Sequence, residues 1–303
     1  MKIFSVIVTF NRKALLQQAL AAHAAQTCQP ARLLIVDNAS TDGTRDMLVG
    51  EGWLDRSNVE LLALEQNTGG AGGFAAGLQH ALEQGADWVW MMDDDAEPHP
   101  RALEELMQVA DQPSNVYGSL AVQGVETSWG TTIVTPPLGE LWVADDVPAN
   151  GVVQFLPFLG FLVHRDLVAR IGLPDVGYFI AADDVEYCMR AKQAGAQIVV
   201  AGKSRIEHPQ SRPYKARVLG RSLTCLALPP WKRYYDTRNR LLIARKYYGV
   251  RLFTQTIPGS FVRLFAALLK EPRKLAQAHA FFAGFIDGLF GIKGKRHEKW
   301  GIR

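Results

Sequence analysis

The chain has 303 residues, 48% hydrophobic and 21% charged, with a formal net charge of +3. That length supports one large α/β domain or a domain with a smaller annex, and that composition excludes wholesale disorder. Cys28, Cys188 and Cys225 are odd in number and far apart, which excludes a disulfide framework or cysteine metal cluster and points to a reducing compartment.

The first element is the strand "KIFSVIVTF", whose apolar run of about seven residues is too short for a signal-peptide core. It is followed by the helical pattern "RKALLQQALAAHAAQ". Next come "ARLLIVD" with "TDGTRDMLVGEG", "VELLALEQ" with "GFAAGLQHALEQG", and "DWVWMMD" with "HPRALEELMQVAD". Four βα units predict a parallel sheet covered by helices on both faces. Right-handed crossovers then bring the loops "TFNR", "DNASTDG", "QNTGGAGG" and "DDDAEP" to one edge, where ligands of such sheets bind.

From about residue 115 to 163 the pattern breaks into short β-like pieces and turns. "DDVEYCMRAKQAG" then reads as a helix, "AQIVVAG" as a strand, and the last seventy or so residues as helices: "YYDTRNRLLIARKYYG", "SFVRLFAALLKEPRKLAQA" and "FFAGFIDGLFGIKGK". The prolines of "ALPPW" place a domain boundary near residue 225. The expected organisation is a catalytic domain over 1–225, with a nucleotide-binding half (1–112) and an acceptor half (113–225), then a helical region over 226–303. From Trp231 onward there are 16 Lys/Arg against 4 Asp/Glu, whereas the part before it holds 17 against 26. A basic segment on an acidic body implies a polyanionic partner. No recognised nucleic-acid motif accompanies the charge, so a membrane surface is favoured over nucleic acid. No stretch reaches 18 uninterrupted apolar residues, and nothing is expected to span a bilayer.

Three chemistries compete for the central motifs. "WVWMMDDD" resembles a Walker B strand, but the phosphate loop that would precede "AGKS" (201–204) lacks its first glycine: position 197 is Gln. Gly70, Gly72 and Ala75 fit a permissive dinucleotide fingerprint, but it follows the third strand, and a ribose-binding acid would be single. The third reading accounts for the acids. Asp93 and Asp95, at i and i+2 leaving a strand, point to one side and present hard oxygen ligands to a divalent cation on a diphosphate. The ion would then offset the mutual repulsion of three consecutive carboxylates.

Taken in order, "SVIVTFNR", "VDNASTDGT", "NTGGAGG" and "DDD" resemble the inverting glycosyltransferases of family 2, over roughly the first 210 residues. The resemblance implies a GT-A fold: a Rossmann-like, mixed, mainly parallel sheet with a helical C-terminal annex. It places Thr9, Phe10, Asn11 and Arg12 in the base and phosphate pocket and Asp37, with Asn38 beside it, on the uracil or thymine imide. Asn67 and the glycines Gly70, Gly72 and Gly73 would lie at donor phosphates or sugar. Their lack of side chains would let backbone N–H groups approach. Asp93 and Asp95 would hold Mn²⁺ or Mg²⁺, with Asp94 nearer the ribose or sugar, and His208 of "IEHP" would complete the metal site. "AADDVEYCMRA" matches the segment carrying the catalytic base: Asp184 is the candidate, Asp183 its neighbour, and Glu186 and Trp129 would meet the acceptor. Read from the residues alone, Asp183 and Asp184 also suit helix capping.

Within the family, the glycine loop, "DDVEY" and the downstream histidine look most like the galactofuranosyltransferases of bacterial polysaccharide assembly, with rhamnosyltransferases close. The expected function is metal-dependent inverting transfer of galactofuranose from UDP-galactofuranose to a growing polysaccharide or lipid-linked glycan. Rhamnose from dTDP-rhamnose is the alternative, and a non-catalytic nucleotide-sugar-binding module is the alternative of another class. The C-terminal helices mix apolar faces with Lys and Arg as an interfacial helix does, or as a helical annex with a solvated basic face does. The first reading implies a cytoplasmic protein, peripheral on the inner face of the bacterial cell membrane.

Overall fold

The computed structural model describes residues 1–135, 138–210, 213–218 and 221–303. They form two compact units, Met1–Asp175 with Tyr187–Gln210, and Val176–Glu186 with Ser211–Arg303.

The first unit opens with the four expected βα units: β1 (Ile3–Thr9), α1 (Lys13–Ala24), β2 (Arg32–Asp37), α2 (Thr44–Gly50), β3 (Val59–Ala63), α3 (Gly69–Glu83), β4 (Trp88–Asp93), then β5 (Glu97–Pro98) and α4 (Ala102–Val109). The irregular stretch that follows holds β6 (Val116–Gln123), β7 (Glu126–Ile133), β8 (Gly139–Val143), β9 (Gly151–Val152), β10 (Leu159–His164) and α5 (Arg165–Ile171). Beyond it come α6 (Asp183–Gln193), whose first turn groups with the second unit, and β11 (Ile198–Glu207). The sheet runs β3-β2-β1-β4-β10-β6-β11-β5. Its first four strands are parallel, β10 is antiparallel to both neighbours, and β11 pairs parallel with β6. The mixed, mainly parallel sheet is as the resemblance implies.

All seven residues of β1 and the first five of β4 are buried, as strands covered on both faces must be. The side chains divide by parity. Val6, Val8 and Val36 pack with Phe74 and Leu78 of α3, whereas Ile7, Ile35 and Trp90 pack with Leu16 and Leu20 of α1. In-register pairing of Thr9 with Asp37 and of Val8 with Asp93 sets the ends of β1, β2 and β4 side by side.

The helix α3 starts at Gly69, four residues before the expected start at Gly73, and takes in most of the "TGGAGG" loop. Its glycines serve packing. A Cβ on Gly73 would meet Val8 Cγ1 at 2.5 Å, and one on Gly77 would meet Val6 Cγ1 at 2.4 Å. Helix and sheet therefore approach more closely than any side chain allows, which offsets the poor helix propensity of glycine.

The second unit contains the hairpin β12 (Pro213–Val218) and β13 (Arg221–Leu226) and the helices α7 (Pro230–Tyr247), α8 (Ile257–Lys270) and α9 (Lys274–Phe290). Pro230 opens α7, where a missing N–H costs nothing. Gly284 and Gly288 let α9 close on α7: a Cβ on Gly284 would lie 2.3 Å from the Tyr234 carbonyl oxygen. The helical run Leu252–Lys270, 19 residues with mean hydropathy 1.3, is long and apolar enough to cross a membrane by length and composition. Looking for uninterrupted apolarity passes over it because Thr254, Gln255, Ser260 and Arg263 break the run.

Candidate active site

The acid cluster sits where β4 ends, and its three members differ. Asp94 is turned inward, 2% exposed, and accepts from Thr9 Oγ at 2.7 Å. Burial pushes its carboxyl above the usual range, more than the Thr9 hydrogen bond and the neighbouring guanidinium of Arg12 pull it down. Asp93 and Asp95 are part-exposed. Arg12 lies across the cluster, its Nη1 3.2 Å from Asp94 Oδ1 and 2.9 Å from Asp95 Oδ2. Burial works against the guanidinium charge, but Asp94, Asp95 and Asp93 together raise its pKa. Arg12 is thus a counter-ion of the acids, a role its placement in a phosphate pocket does not include.

On the other side of Asp95, His208 Nε2 stands 3.9 Å from Oδ1, too far for a hydrogen bond. Its Nδ1 is buried without a hydrogen-bond partner among the described residues. Ser128 Oγ donates to the His208 carbonyl at 2.8 Å, and the Trp129 ring meets the imidazole edge-on with centroids 5.6 Å apart. Trp129 is therefore placed at the cluster's histidine. The gap between an imidazole nitrogen and a carboxylate oxygen suits a divalent ion whose remaining ligands come from a diphosphate and water. No group of three protein ligands is drawn together among the described residues.

The loops after β1, β2 and β3 are cross-tied. Asn11, in left-handed backbone (φ 53), accepts from the Thr41 N–H at 2.7 Å, and Asp37 accepts from the Ser40 N–H at 2.9 Å. Asn38, 2% exposed, donates to the Gly69 carbonyl and accepts from Thr68, while Asn67 accepts from the Gly69 N–H. Thr9, Asn38 and Asp94 are committed to these internal bonds. Of the predicted donor set, Phe10, Asn11 and Arg12 are exposed, and Asn67, Asp93 and Gly70, which has open space around it, are part-exposed, as is the metal candidate Asp95. Gly72 and Gly73 are buried in the first turn of α3.

The second acid pair opens α6. Asp183 is buried, Asp184 half-buried, and Asp184 Oδ1 accepts from the Val185 N–H at 2.7 Å, so capping takes up one of its oxygens. Burial raises both carboxyls well above the usual range, and repulsion from Asp184 and Glu186 raises Asp183 further, leaving Asp184 the more readily ionised. Glu186 is fully buried, with Oε1 accepting from Lys246 Nζ at 2.8 Å and Tyr247 Oη at 2.7 Å. The sequence offers it to the acceptor; in the structure its Oε1 already serves two residues of α7.

Residues 5–152 match the model of the "Glycosyl transferase family 2" family. A galactofuranosyltransferase, GlfT1 of Mycobacterium tuberculosis, is 33% identical over 251 residues, 78% of this chain and 80% of its own. The dTDP-rhamnosyl transferase RfbF of Shigella flexneri is 22% identical over 307 residues, 96% of this chain and 97% of its own. Among solved structures, GalNAc-T7 with UDP, GalNAc and Mn²⁺ superposes with a TM-score of 0.63 at 15% identity, covering 92% of this chain. The chain spans 55% of that protein's length. That likeness shows the fold.

Proposed function

The chain belongs to glycosyltransferase family 2, and on that premise we propose that this glycosyltransferase moves galactofuranose from UDP-galactofuranose to a growing glycan, with inversion and a divalent cation. The observation that carries the choice of sugar is the 33% identity to a galactofuranosyltransferase over 78% of the chain. Asp95 and His208, with Asp93, would hold Mn²⁺ or Mg²⁺, and the ion would supply positive charge to the departing diphosphate. Asp37 with the Asn11–Thr41 crosslink would shape the base pocket, and Gly70 would leave room beside the sugar. Arg12, whose side chain is 44% exposed, would exchange Asp95 for a donor phosphate oxygen. Asp184 would accept the proton of the acceptor hydroxyl, a poor nucleophile until that proton leaves. A mainly protonated Asp183 would keep a second negative charge away from it.

Rhamnose from dTDP-rhamnose is the second reading, favoured by a likeness to RfbF that runs over 96% of the chain. A donor screen that reads nucleoside diphosphate release across UDP- and dTDP-sugars separates the two. Release from UDP-galactofuranose alone supports the first reading, and release from dTDP-rhamnose alone replaces it.

The acceptor would be lipid-linked and met at the cytoplasmic membrane surface. Phe261, Phe265 and Leu269 form an exposed stripe along α8, and Phe282, Ile286 and Phe290 form another along α9. The stripes meet where Phe261 and Phe282 approach, ring centroids 6.5 Å apart. Lys270, Arg273 and Lys274 lie where α8 ends and α9 begins, and Arg251 precedes the helical run Leu252–Lys270. Apolar rows flanked by cations are what an anionic bilayer surface would bind.

A further inference from the structure

The turn that leads into Asp183 is strained. Phe179 (φ 65), Ala181 (φ 69) and Ala182 (φ 61) all adopt left-handed backbone, and none is glycine. Each costs on the order of 1–2 kcal/mol, so three in four residues persist only where surrounding structure dictates them. Two adjacent side chains of α7, Arg238 and Asn239, both fully buried, supply that constraint. Arg238 Nη2 donates to the carbonyls of Gly177 at 3.1 Å and Tyr178 at 2.7 Å, and its Nη1 to Gly294. Asn239 Nδ2 lies 3.1 Å from the Tyr178 carbonyl oxygen, 2.9 Å from that of Ile180 and 2.6 Å from that of Ala181. Arg238 Nε donates to Asn239 Oδ1 at 2.8 Å, which fixes the amide with its NH₂ toward the turn. The guanidinium also lies 4.7 Å from the Tyr235 ring centroid, and Phe179 stacks on that same ring with centroids 5.0 Å apart. One residue beyond the turn the helix takes hold, with the Glu186 N–H donating to the Ala182 carbonyl at 3.0 Å.

A buried guanidinium whose hydrogen bonds go to carbonyls and an amide oxygen, with no carboxylate within ion-pair distance among the described residues, is a costly way to fill a core. Here it accounts for the shape of one turn. We infer that Arg238 and Asn239 are positioning residues for the transfer reaction: by gripping the carbonyls of the 177–181 turn they hold Asp184 where an acceptor hydroxyl can reach it. The inference rests on the proposed role of Asp184 as base.

The test uses the full chain with Asn239→Leu, which keeps the shape of the side chain and removes both donors. Transfer kcat should fall about a hundredfold, as misplacement by an ångström does, while the Kd for UDP stays within about threefold. In an Asp184→Asn background the same substitution should add no further loss, because Asn239 acts only through that carboxylate. Wild-type kcat for Asn239→Leu, or a loss that compounds fully on Asp184→Asn, overturns the inference. If Asp184→Asn by itself transfers normally, it is the base assignment that fails. Should Asn239→Leu not fold, Arg238→Lys, which keeps the charge and loses the fork, carries the same double-variant comparison.

Discussion

Arg12 Nη1 donates to Asp95 Oδ2 at 2.9 Å, so the acid cluster already holds a cation supplied by the chain. A divalent ion at Asp95 and this guanidinium compete for the same negative charge. Arg12→Gln should therefore tighten Mn²⁺ binding to the donor-free protein by about fivefold, roughly 1 kcal/mol for a part-exposed pair. The same variant should weaken UDP binding, because the guanidinium is lost to the phosphates. Titration of Mn²⁺ with and without UDP checks both signs, and weaker Mn²⁺ binding in the donor-free variant would count against competition.

If Asp93, Asp95 and His208 share a cation, chelation should abolish turnover, and Asp95→Ala should lose donor affinity even in excess manganese. His208→Ala should raise the Mn²⁺ concentration needed for half-maximal rate with little change in Tm, since among the described residues its Nδ1 has no hydrogen bond to lose. Full activity of the wild type in chelator would remove the cation from the reaction.

The base and the metal separate by variant and by pH. Asp184→Asn should keep donor and metal binding while transfer falls by about two to four orders of magnitude. Burial raises Asp184 to about 6, so transfer should decline below that pH rather than near 4. For stability the sign is the reverse of an ordinary salt-bridged carboxylate. A folded pKa above the unfolded value means the protonated pair stabilises the fold, and that contribution is lost as pH rises through the raised values. Asp184→Asn should therefore flatten the loss of Tm between about pH 4 and 6. If Asp183→Asn shows the large catalytic loss instead, the roles within the pair are exchanged.

How far the site was legible follows from what each residue's role depends on. The ends of β1, β2 and β4 were readable because strand, polar loop and helix alternate locally, and parallel pairing then brings Thr9, Asp37 and Asp93 together without further information. The start of α3 was misplaced because glycine runs read as loop. What keeps them helical is Val6 and Val8 on a strand some sixty residues away. Arg238 and Asn239 looked like two polar residues in a helical pattern, since their partners are backbone carbonyls of a turn that no side-chain motif marks. Likewise, nothing in "NRK" foretold that Arg12 would lie on Asp94 and Asp95.

The packing role of the α3 glycines has its own test. Gly77→Ala should destabilise by about 1–3 kcal/mol, because its Cβ would fall 2.4 Å from Val6 Cγ1 and 2.8 Å from Val36 Cγ2. Gly70→Ala meets nothing within 4 Å and should be neutral or slightly stabilising through its better helix propensity. Chemical denaturation of both variants decides. A loss of UDP affinity confined to Gly70→Ala would show that the open glycine leaves room for the donor.

The membrane reading turns on which surface the C-terminal helices bury. Phe265 is 52% exposed, Leu269 53% and Phe290 70%, so both stripes keep apolar area that the fold does not use. From Arg251 to the end there are 10 Lys/Arg against 3 Asp/Glu. Each cation near an anionic leaflet contributes about 1 kcal/mol, attenuated beyond a Debye length of about 8 Å at physiological salt. Charge alone would make binding fully salt-reversible, and apolar insertion alone would make it indifferent to lipid charge. With both present, binding to anionic vesicles should weaken with salt without vanishing, and binding to neutral vesicles should be slight. Phe265→Ser with Phe290→Ser should abolish the salt-resistant part and slow transfer to a lipid-linked acceptor more than to a short soluble one. Equal slowing on both acceptors would mean that the stripes support the catalytic fold and not the membrane contact.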